Sequence, residues 1–300
     1  MNALETTGLG KRYRRAWALR DCSLAVPAGK VVALVGPNGA GKTTLLHAAM
    51  GLLTPTRGEA RVLGEAPRTS RTLARVAFVA QDKPLYDGFR VSELLRMGRA
   101  LNPRWDDGVA RCRLAELRIP LDRRAGKLSG GQQAQIALTL ALAKRPDLLL
   151  LDEPLANLDP LARSEIMGHL MSTVAERDIT VVLSTHVIAD LAQTCDWLIL
   201  LSGGRVQVSG DVEELLGAHQ MLTGPVEAAD ALAASTPVVS RRVVGRQVHL
   251  LVRASRPIPD PRWSARPVAM EDLVLAYLRE PDAAALPRPT LATLAPEGNR

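Results

Sequence analysis

The sequence predicts an α/β fold in which helices cover a mostly parallel β-sheet. The segment "KVVALVG", residues 30–36, is an apolar, β-branched run that ends at glycine, which is typical of a buried parallel strand. The runs "DLLLLDEP", "TVVLSTH" and "DWLILLSGG" repeat this pattern further along the chain. Helical patterns separate the runs, and strands that alternate with helices favour a parallel sheet with helices on its faces.

The chain is expected to divide into a large first domain, residues 1–217, and a smaller second one. Between residue 82 and about residue 145 the strand signal disappears, and "VSELLRMGRAL" and "DDGVARCRLAEL" predict the helices of an inserted subdomain. After residue 217, an alternating stretch predicts a hairpin or small sheet and "AMEDLVLAYLRE" predicts a helix. We therefore expect a small α+β accessory domain over residues 218–282. The Ala/Pro-rich residues 283–300 are expected to form a disordered tail.

Composition limits the functional classes. Apolar residues make up 47% and charged residues 23% of the 300-residue chain, which is ordinary for a soluble globular protein. The net charge of +7 permits an anionic partner, but the basic pairs are scattered, which favours a solvated surface over a nucleic-acid site. Three cysteines without a CxxC pair argue against a disulfide framework or a zinc site and for a reducing compartment.

The sequence offers no segment of its own for the membrane. No apolar run reaches the roughly 20 residues that a spanning helix requires, and the first residues lack the apolar stretch of a signal peptide. We therefore expect a cytoplasmic protein that reaches the inner face of a membrane only through a partner.

The stretch "GPNGAGKT", Gly36–Thr43, predicts a phosphate-binding loop, because it follows a strand and opens a helix. Its glycines allow backbone N–H groups to wrap a β-phosphate. Lys42 neutralises the β- and γ-phosphates, and the Thr43 hydroxyl is suited to Mg²⁺. The predicted nucleotide-binding residues of this loop are Gly36, Asn38, Gly39, Gly41, Lys42, Thr43 and Thr44.

Two carboxylates complete the predicted nucleotide site. The apolar run "LLLL" fixes Asp152 at the tip of a strand, where its side chain can hold Mg²⁺ through water. Glu153 follows immediately, in a place to orient or deprotonate an attacking water. An Asp-Glu pair after a strand is often only a pair of surface carboxylates. Because a phosphate loop precedes it in this chain, we interpret the pair as part of the nucleotide site.

A second loop has the form of a phosphate site but contains no lysine. Ser129, Gly130 and Gly131 lead directly into a predicted helix, whose N-terminal N–H groups and dipole attract anions. A chain that binds one nucleotide does not need two such loops, so the second loop requires its own explanation.

Four motifs together resemble the ATP-binding subunits of ABC transporters. They are the phosphate loop, "LSGGQ" at residues 128–132, "LLLLDEP" and His186 in "LSTH", in the order and approximate spacing of that family. The resemblance covers roughly residues 4–217. It implies a P-loop ATPase fold with an N-terminal antiparallel β part, a mostly parallel sheet and a helical subdomain, and it implies ATP and Mg²⁺ as cofactors.

The resemblance also implies roles for individual residues. Tyr13 matches the aromatic residue that stacks on adenine, with Trp17 a less suited substitute. Gln81 links the Mg²⁺ and water site to the helical subdomain, Asp159 communicates across a dimer, and His186 contacts the γ-phosphate. The implied catalytic residues are Glu153, His186 and Gln81, and the implied Mg²⁺ ligands are Thr43, Gln81 and Asp152.

For the second loop, the resemblance implies a site shared between two subunits. Ser129 and Gly131 would bind the γ-phosphate of an ATP that is held by the Lys42 loop of the other subunit, and Gly130, Gln132 and Asp159 are expected to belong to the same nucleotide site. The expected partners are therefore transmembrane permease subunits and a second ATPase subunit, with a homodimer expected and a heterodimer left open. No nucleic acid is expected.

The chain departs from the family at one point and matches a subtype at two others. The family often places an arginine shortly after "LSGGQ", but here Gln133, Ala134 and Gln135 follow, so a positive charge is missing from this helix. The stretches "ALNPRWD" and "VAMEDLVLAYL" resemble bacterial export-type ABC ATPases of the drug and antibiotic class.

Three functions remain in competition. The favoured one is the motor subunit of a membrane exporter. The second is a soluble ABC-type ATPase that acts on nucleic acid or the ribosome; such relatives usually carry coiled-coil inserts or two cassettes, and this chain has neither. The third is a nucleotide-binding regulatory module without turnover, against which Glu153 argues.

The expected docking surface for a permease is the segment "DKPLYDGFRVSELL". It contains Tyr86 and Phe89, two of the few aromatic residues of the chain. They either anchor the interface or pack inside the helical subdomain, and the sequence leaves this choice open. The sequence of this chain does not indicate the transported substrate, which the membrane helices of the partner are expected to select.

Overall fold

The computed structural model describes residues 1–82, 84–156, 158–187, 194–254, 258–280 and 283. Its strands are β1 (Asn2–Tyr13), β2 (Ala16–Pro27), β3 (Val31–Val35), β4 (Arg57–Val62), β5 (Val76–Val79), β6 (Leu148–Asp152), β7 (Thr180–Thr185), β8 (Trp197–Ser202), β9 (Arg205–Asp211), β10 (His219–Pro225), β11 (Val238–Val244), β12 (Gln247–Arg253) and β13 (Ser264–Arg266). Its α-helices are α1 (Lys42–Ala49), α2 (Ser70–Arg75), α3 (Val91–Leu101), α4 (Asp107–Glu116), α5 (Gly130–Ala143), α6 (Pro160–Arg177), α7 (Val212–Gly217), α8 (Ala229–Ser235) and α9 (Met270–Arg279). Short 3₁₀ turns lie at Ala125–Lys127 and Val226–Ala228.

A six-stranded sheet forms the centre of the chain, in the order β5-β6-β7-β3-β8-β9. All neighbouring pairs are parallel except β8 and β9. Both faces of β3 are buried: Val32 and Leu34 pack on one side, and Ala33 and Val35 on the other. This explains why the run is apolar throughout instead of alternating. The predicted α/β fold with a mostly parallel sheet is confirmed.

The N-terminal antiparallel sheet has the order β2-β1-β4. Its inward residues, such as Leu4 and Leu24, share a core with α1 and with one face of the six-stranded sheet. This sheet therefore supports the element that follows the phosphate loop.

The helices α3, α4 and α5 enclose a small core of their own, with Val91, Leu114 and Ile136 at its centre. Between β5 and β6 the described residues contain no strand, only an isolated bridge between Arg90 and Arg124. The two helices that the sequence predicts here are present as α3 and α4.

The C-terminal residues form a second, antiparallel sheet in the order β11-β12-β10-β13. The predicted hairpin is β11–β12 and the predicted helix is α9. Helix α9 packs into the core below the six-stranded sheet, where Tyr277 joins Leu200 and Leu215. The domain boundary at residue 217 stays a prediction, and apart from Ala283 the predicted tail lies outside the described residues.

A buried hydrogen-bonded pair connects α9 to the start of the second sheet. His219 Nε2 lies 2.9 Å from the hydroxyl of Tyr277, and Nδ1 lies 2.7 Å from the carbonyl oxygen of Leu215. Burial lowers the pKa of His219 and raises the pKa of Tyr277. The neutral imidazole is therefore the form that this site favours.

Across the parts of the chain given above, no helix combines the length and the apolar character needed to cross a membrane.

Candidate active site

The predicted phosphate loop joins the carboxyl end of β3 to α1. A Cβ on Gly36 would lie 2.3 Å from the carbonyl oxygen of Leu201, so the loop passes too close to the neighbouring strand for any side chain. Gly41 has φ of 106°, and its Cβ would lie 2.5 Å from the carbonyl oxygen of Ala18. Glycine is required at both positions, because no other residue fits the space or adopts that backbone angle at low cost.

The N-terminus of α1 is prepared for an anion. No side chain caps it, and its first turn contains no acidic residue. The N–H groups of that turn and the Lys42 ammonium therefore face the same loop. Asn38 and Gly39 are exposed on the loop, Thr43 is exposed, and Thr44 is half-buried.

Lys42 is buried and makes three contacts. Its Nζ donates to the carbonyl oxygens of Gly36 at 2.8 Å and Pro37 at 3.4 Å. It also lies 3.3 Å from Oε1 of Glu153. These contacts keep the ammonium inside the phosphate loop and away from solvent.

Asp152 and Glu153 lie at the end of β6, and Ser184 on the adjacent β7 joins them. The Ser184 hydroxyl donates to Asp152 Oδ1 at 2.6 Å and accepts from the backbone N–H of Glu153 at 2.9 Å. Both Asp152 and Ser184 are fully buried. Ser184 was not predicted as a site residue; the signal available in the sequence was a polar residue near the end of an otherwise apolar strand.

Glu153 bridges two basic side chains. Its Oε1 faces Lys42, and its Oε2 lies 3.2 Å from Nδ1 of His186, at the end of β7. The Glu153 side chain is only 11% exposed, and its backbone has φ of 44°, a left-handed conformation that is uncommon outside glycine. Such strain is characteristic of residues whose placement matters for function. A cleft of about 210 Å³ opens beside Glu153, Ser184 and His186.

The donors at this edge of the sheet fit Mg²⁺. Ser184 occupies one oxygen of Asp152, which leaves Oδ2 for a ligand, and the Thr43 hydroxyl is exposed on the first turn of α1. The described residues contain no group of three or more His, Cys, Asp and Glu that would form an all-protein metal cage. Mg²⁺ is usually held by one or two protein oxygens together with phosphates, so this donor set suits it.

Gln81 and Tyr13 lie at the periphery of the site. Gln81 is exposed, two residues beyond β5, which is the strand next to β6. Tyr13 is 50% exposed at the hairpin of β1 and β2, the hairpin whose Ala18 approaches Gly41. Both candidate rings have cations near them: Lys11 Nζ lies 5.3 Å from the centre of the Tyr13 ring, and the guanidinium carbons of Arg12 and Arg57 lie 5.8 and 5.7 Å from the centre of the Trp17 ring. Tyr13 is exposed and Trp17 is half-buried, so Tyr13 is the more accessible ring.

The second loop, Ser129–Gly131, forms the N-cap of α5 and is accessible to solvent. Ser129 begins α5: its hydroxyl accepts from the Gln132 N–H at 3.2 Å, and its own N–H donates to the Gln132 side chain at 3.1 Å. Gly130 has open space around its Cβ position, and the Cβ position of Gly131 lies 3.7 Å from Ala162.

The structure divides the predicted residues into two groups. Asp159 caps α6 through the Ala162 N–H at 2.9 Å, so it lies with the Ser129 loop. Lys42, Asp152, Glu153 and His186 form the other group. In the described chain, no hydrogen bond or ion pair joins the Ser129 loop to the Lys42 loop.

A buried cation lies beside α5. Arg113, on α4, donates from Nη2 to Gln135 Oε1 at 3.0 Å and from Nε to the Thr139 hydroxyl at 3.1 Å. Burial lowers the pKa of Arg113. The positive charge that is missing from the sequence of α5 is therefore supplied beside Gln135 and Thr139 by the neighbouring helix α4.

Comparison with known proteins identifies what this chain is similar to. A family model described as ABC transporter matches residues 19–156. The phosphonates import ATP-binding protein PhnC of Thiobacillus denitrificans is 36% identical, over 72% of this chain and 90% of that protein. The Nod factor export ATP-binding protein I of Paraburkholderia xenovorans is 33% identical, over 91% of this chain and 96% of that protein.

Solved structures of ABC transporter ATP-binding proteins have a similar fold. A structure described as the dimeric structure of a bacterial ABC transporter cassette is 26% identical, with a TM-score of 0.62 over 70% of this chain and 98% of that one. Among the relatives, import is named for the matching molybdenum, aliphatic sulfonate and Fe(3+) proteins as well as for PhnC. These names do not support the predicted export type.

Proposed function

The chain belongs to the ABC transporter family of ATP-binding proteins, and from this premise we propose that it hydrolyses ATP to drive a membrane transporter whose spanning part is a separate permease. The observation that carries the proposal is the arrangement of Lys42, Glu153 and His186 around one phosphate loop. A site that only binds ATP and does not hydrolyse it would need the phosphate loop with Lys42, but neither Glu153 nor His186. A carboxylate held between Lys42 and His186 at the strand edge is suited to water activation.

The residues have distinct roles in this proposal. The N–H groups of α1 and the Lys42 ammonium bind the phosphates, so Lys42 turns from Glu153 toward the nucleotide. Ser184 keeps the Glu153 backbone in place, and the released carboxylate orients the attacking water and accepts its proton. His186 lies on the far side of Glu153 and is placed to contact the γ-phosphate. Tyr13 stacks on the base.

Mg²⁺ would be held by the Thr43 hydroxyl, by Asp152 through water and by Gln81. When bound, Mg²⁺ neutralises charge on the phosphate oxygens. Buried Asp152 is fixed for this role by the hydrogen bond from Ser184.

The second loop points to a dimer. Ser129–Gly131 is open to solvent and has no polar contact with the Lys42 loop of its own chain among the described residues. Two chains arranged head to tail would hold each ATP between the Lys42 loop of one and the Ser129 loop of the other, which makes two equivalent sites. The similarity to a cassette solved as a dimer supports this arrangement. A heterodimer with a different ATPase chain fits the same geometry.

Mixing two damaged chains tests the shared site. One chain carries Lys42→Ala and the other Ser129→Arg, and each alone should fail to pair in ATP. In the mixed dimer one site combines both defects, while the other combines two intact loops. ATP-dependent pairing, measured by analytical ultracentrifugation, should therefore return only in the mixture. If both chains are folded and the mixture stays monomeric in ATP, sharing between copies of this chain is wrong.

The permease is proposed to dock beside the segment that follows β5. Tyr86 is 60% and Phe89 is 40% exposed, and their rings stack with centroids 5.1 Å apart. The exposure of both rings supports the first of the two alternatives that the sequence left open, an interface anchor. Exposed aromatic side chains are typical interface anchors. Through this partner the chain would lie on the inner face of the membrane.

We propose export as the direction of transport, on one observation. The Nod factor export protein aligns with 91% of this chain, whereas the four import relatives named above align with 68–72% of it. The export relative is therefore the one whose match must include much of the second sheet. Uptake of substrate into inside-out vesicles that contain the copurified permease and this chain tests it, because an exporter fills such vesicles in ATP and an importer does not. The alternative of a nucleic-acid or ribosome function is not favoured by the family match or by the described residues.

A further inference from the structure

Several basic side chains cluster at the end of the hairpin that β1 and β2 form. They are Lys11, Arg12, Arg14, Arg15 and Arg57, and we call them the hairpin cations. The first four lie at or beside the turn, and the pairing of β1 with β4 brings Arg57 next to them. Residues 12–16 are all exposed, so the hairpin end projects into solvent. Basic residues that are scattered in the rest of the sequence are therefore concentrated here.

Neutral groups hold three of these cations at the surface. The guanidinium carbons of Arg12 and Arg57 lie 5.8 and 5.7 Å from the centre of the Trp17 ring. The ammonium of Lys11 donates to the carbonyl oxygen of Thr54 at 2.7 Å. A ring face and a carbonyl oxygen attract cations but have no net charge. These contacts therefore limit the motion of the side chains and leave their charge in place.

The hairpin cations have no acid to pair with. In the part of the chain that the structure describes, none of them takes part in an ion pair. The sequence contains no Asp or Glu at positions 6–20 or 31–58. Glu59 follows, but its carboxylate lies 3.2 Å from Nε of Arg61 and is already compensated. The like charges therefore repel one another, and an anionic partner would relieve that repulsion.

Arg14 occupies a position that does not favour arginine. Its φ is 51°, a left-handed conformation that glycine and asparagine adopt at lower cost. Either of those residues would suit the turn better, so the geometry of the hairpin does not explain an arginine at its tip. The side chain is therefore better explained by what its charge binds.

The hairpin end continues the surface that we propose for the permease. Thr54, which accepts from Lys11, lies two residues after the exposed Leu52. Leu52 lines an open cavity together with Leu85, the neighbour of Tyr86 in the sequence. This step rests on the proposed function: if the permease docks beside Tyr86, the hairpin end lies near the side of the chain that faces the membrane.

We propose that the hairpin cations bind the anionic lipid headgroups of the membrane that surrounds the permease. A flat, negatively charged surface accepts several basic side chains at once and makes no demand on shape, which suits a projecting turn. Phosphate oxygens accept strong hydrogen bonds from guanidinium groups such as those of Arg14 and Arg15. Trp17, half-buried at the base of the patch, has the amphipathic ring that is typical of a membrane–water interface.

Vesicle binding by the purified full chain tests the proposal without the permease. The chain is sedimented with vesicles of phosphatidylcholine that contain about one third phosphatidylglycerol, and with vesicles of phosphatidylcholine alone. It should bind only the anionic vesicles, and about 0.5 M salt should release it, because salt screens the charges. Equal binding to both kinds of vesicle, or no binding to the anionic ones, overturns the proposal. The transporter function is tested separately, by copurification of a membrane protein, so either can fail without the other.

A double variant assigns the binding to the hairpin. Arg14→Asn/Arg15→Gln removes two cations and places asparagine where φ is positive, so the turn should still form and a thermal melt should confirm the fold. Binding to the anionic vesicles should weaken by about tenfold or more. The control Arg118→Asn/Arg242→Gln makes the same two changes at exposed arginines outside the hairpin, and Arg118 also has a left-handed φ, of 52°.

The control should alter vesicle binding by less than about twofold, because its two charges lie far from the hairpin compared with the screening length. Equal losses in the two double variants would show that net charge alone drives binding, and would overturn the assignment to the hairpin. If the wild-type chain ignores vesicles and only its binding to detergent-solubilised permease depends on Arg14 and Arg15, the patch binds an acidic protein segment and the lipid proposal is wrong.

Discussion

Nζ of Lys42 lies 3.3 Å from Oε1 of Glu153, so the cation of the phosphate loop and the carboxylate after β6 neutralise each other within the chain. A phosphate that binds Lys42 therefore competes with Glu153, and binding releases the carboxylate that hydrolysis needs. One ion pair links occupancy of the loop to the readiness of the base.

Glu153→Gln should separate binding from hydrolysis. The amide cannot accept a proton and no longer neutralises Lys42, so nucleotide affinity should be equal or higher while turnover falls by about 10² or more. ATPase assays and a fluorescent-nucleotide titration measure both quantities. Glu165→Gln, the same change at an exposed position of α6, is the control. Turnover near the wild-type rate in Glu153→Gln would mean that another group activates the water.

Lys42→Ala should weaken nucleotide binding itself. The variant removes a charged donor to the phosphates, a contact typically worth about 1.5–3 kcal/mol, which is roughly tenfold or more in Kd. Isothermal titration with ATP checks this, and a thermal melt confirms that the variant is folded. An unchanged Kd in the folded variant contradicts the assigned role.

Tyr13→Ala should reduce the affinities for ATP and GTP alike, by roughly 1–3 kcal/mol, because an aromatic ring stacks on any base. Tyr13→Phe should keep most of the affinity. Trp17→Ala should instead lower stability, since Trp17 packs against Gly10 and its ring lies within 6 Å of the guanidinium carbons of Arg12 and Arg57. If Trp17→Ala loses nucleotide affinity and Tyr13→Ala does not, the stacking role belongs to Trp17.

Exchanging the residues at positions 113 and 135 should test the buried charge beside α5. Arg113→Met leaves the Gln135 amide oxygen and the Thr139 hydroxyl without their donor, which should cost about 1–3 kcal/mol in the free energy of unfolding. The double variant Arg113→Gln/Gln135→Arg supplies the guanidinium from α5 and should recover at least half of that loss in urea denaturation. A double variant no more stable than Arg113→Met would show that the charge must come from α4.

The stability of the chain should fall in mild acid through His219. Its pKa is lowered in the fold from an ordinary value of 6.5, so the unfolded chain takes up the proton first. The contribution to stability is complete above about pH 6.5 and is lost as pH falls toward the folded pKa, by at most about 1.4 kcal/mol per pH unit. Urea denaturation at pH 7.5 and pH 5 should show a larger loss for wild type than for His219→Gln. Equal losses in the two proteins would exclude His219 as the cause.

The sequence predicts the central strands well, because β3, β6, β7 and β8 are apolar on both faces and give continuous runs. The four-residue β5 was not predicted, since a run that short resembles any buried segment. The order that places β7 between β6 and β3 is set by tertiary packing, so the role of Ser184 as the link between Asp152 and Glu153 could not be seen.

Contacts between the helices α3, α4 and α5 could not be predicted from the sequence. Gln135 predicted that α5 lacks a positive charge. In the structure, the guanidinium of Arg113 on α4 contacts Gln135 and supplies that charge. Only a contact between two helices supplies this information, and local patterns do not contain it. The exposure of Tyr86 and Phe89 was undecided for the same reason.

The packing of α9 under the six-stranded sheet has a consequence for synthesis of the protein. Leu198, Leu200 and Val212 belong to the same buried cluster as Val274 and Tyr277, which the ribosome adds much later than β9. At about 5–20 residues per second, the stretch from the end of β9 to the end of α9 takes roughly 3 to 14 s to make. During that interval part of this cluster lacks its α9 residues, and we expect the nascent chain to expose apolar surface that chaperones can bind until α9 closes the core.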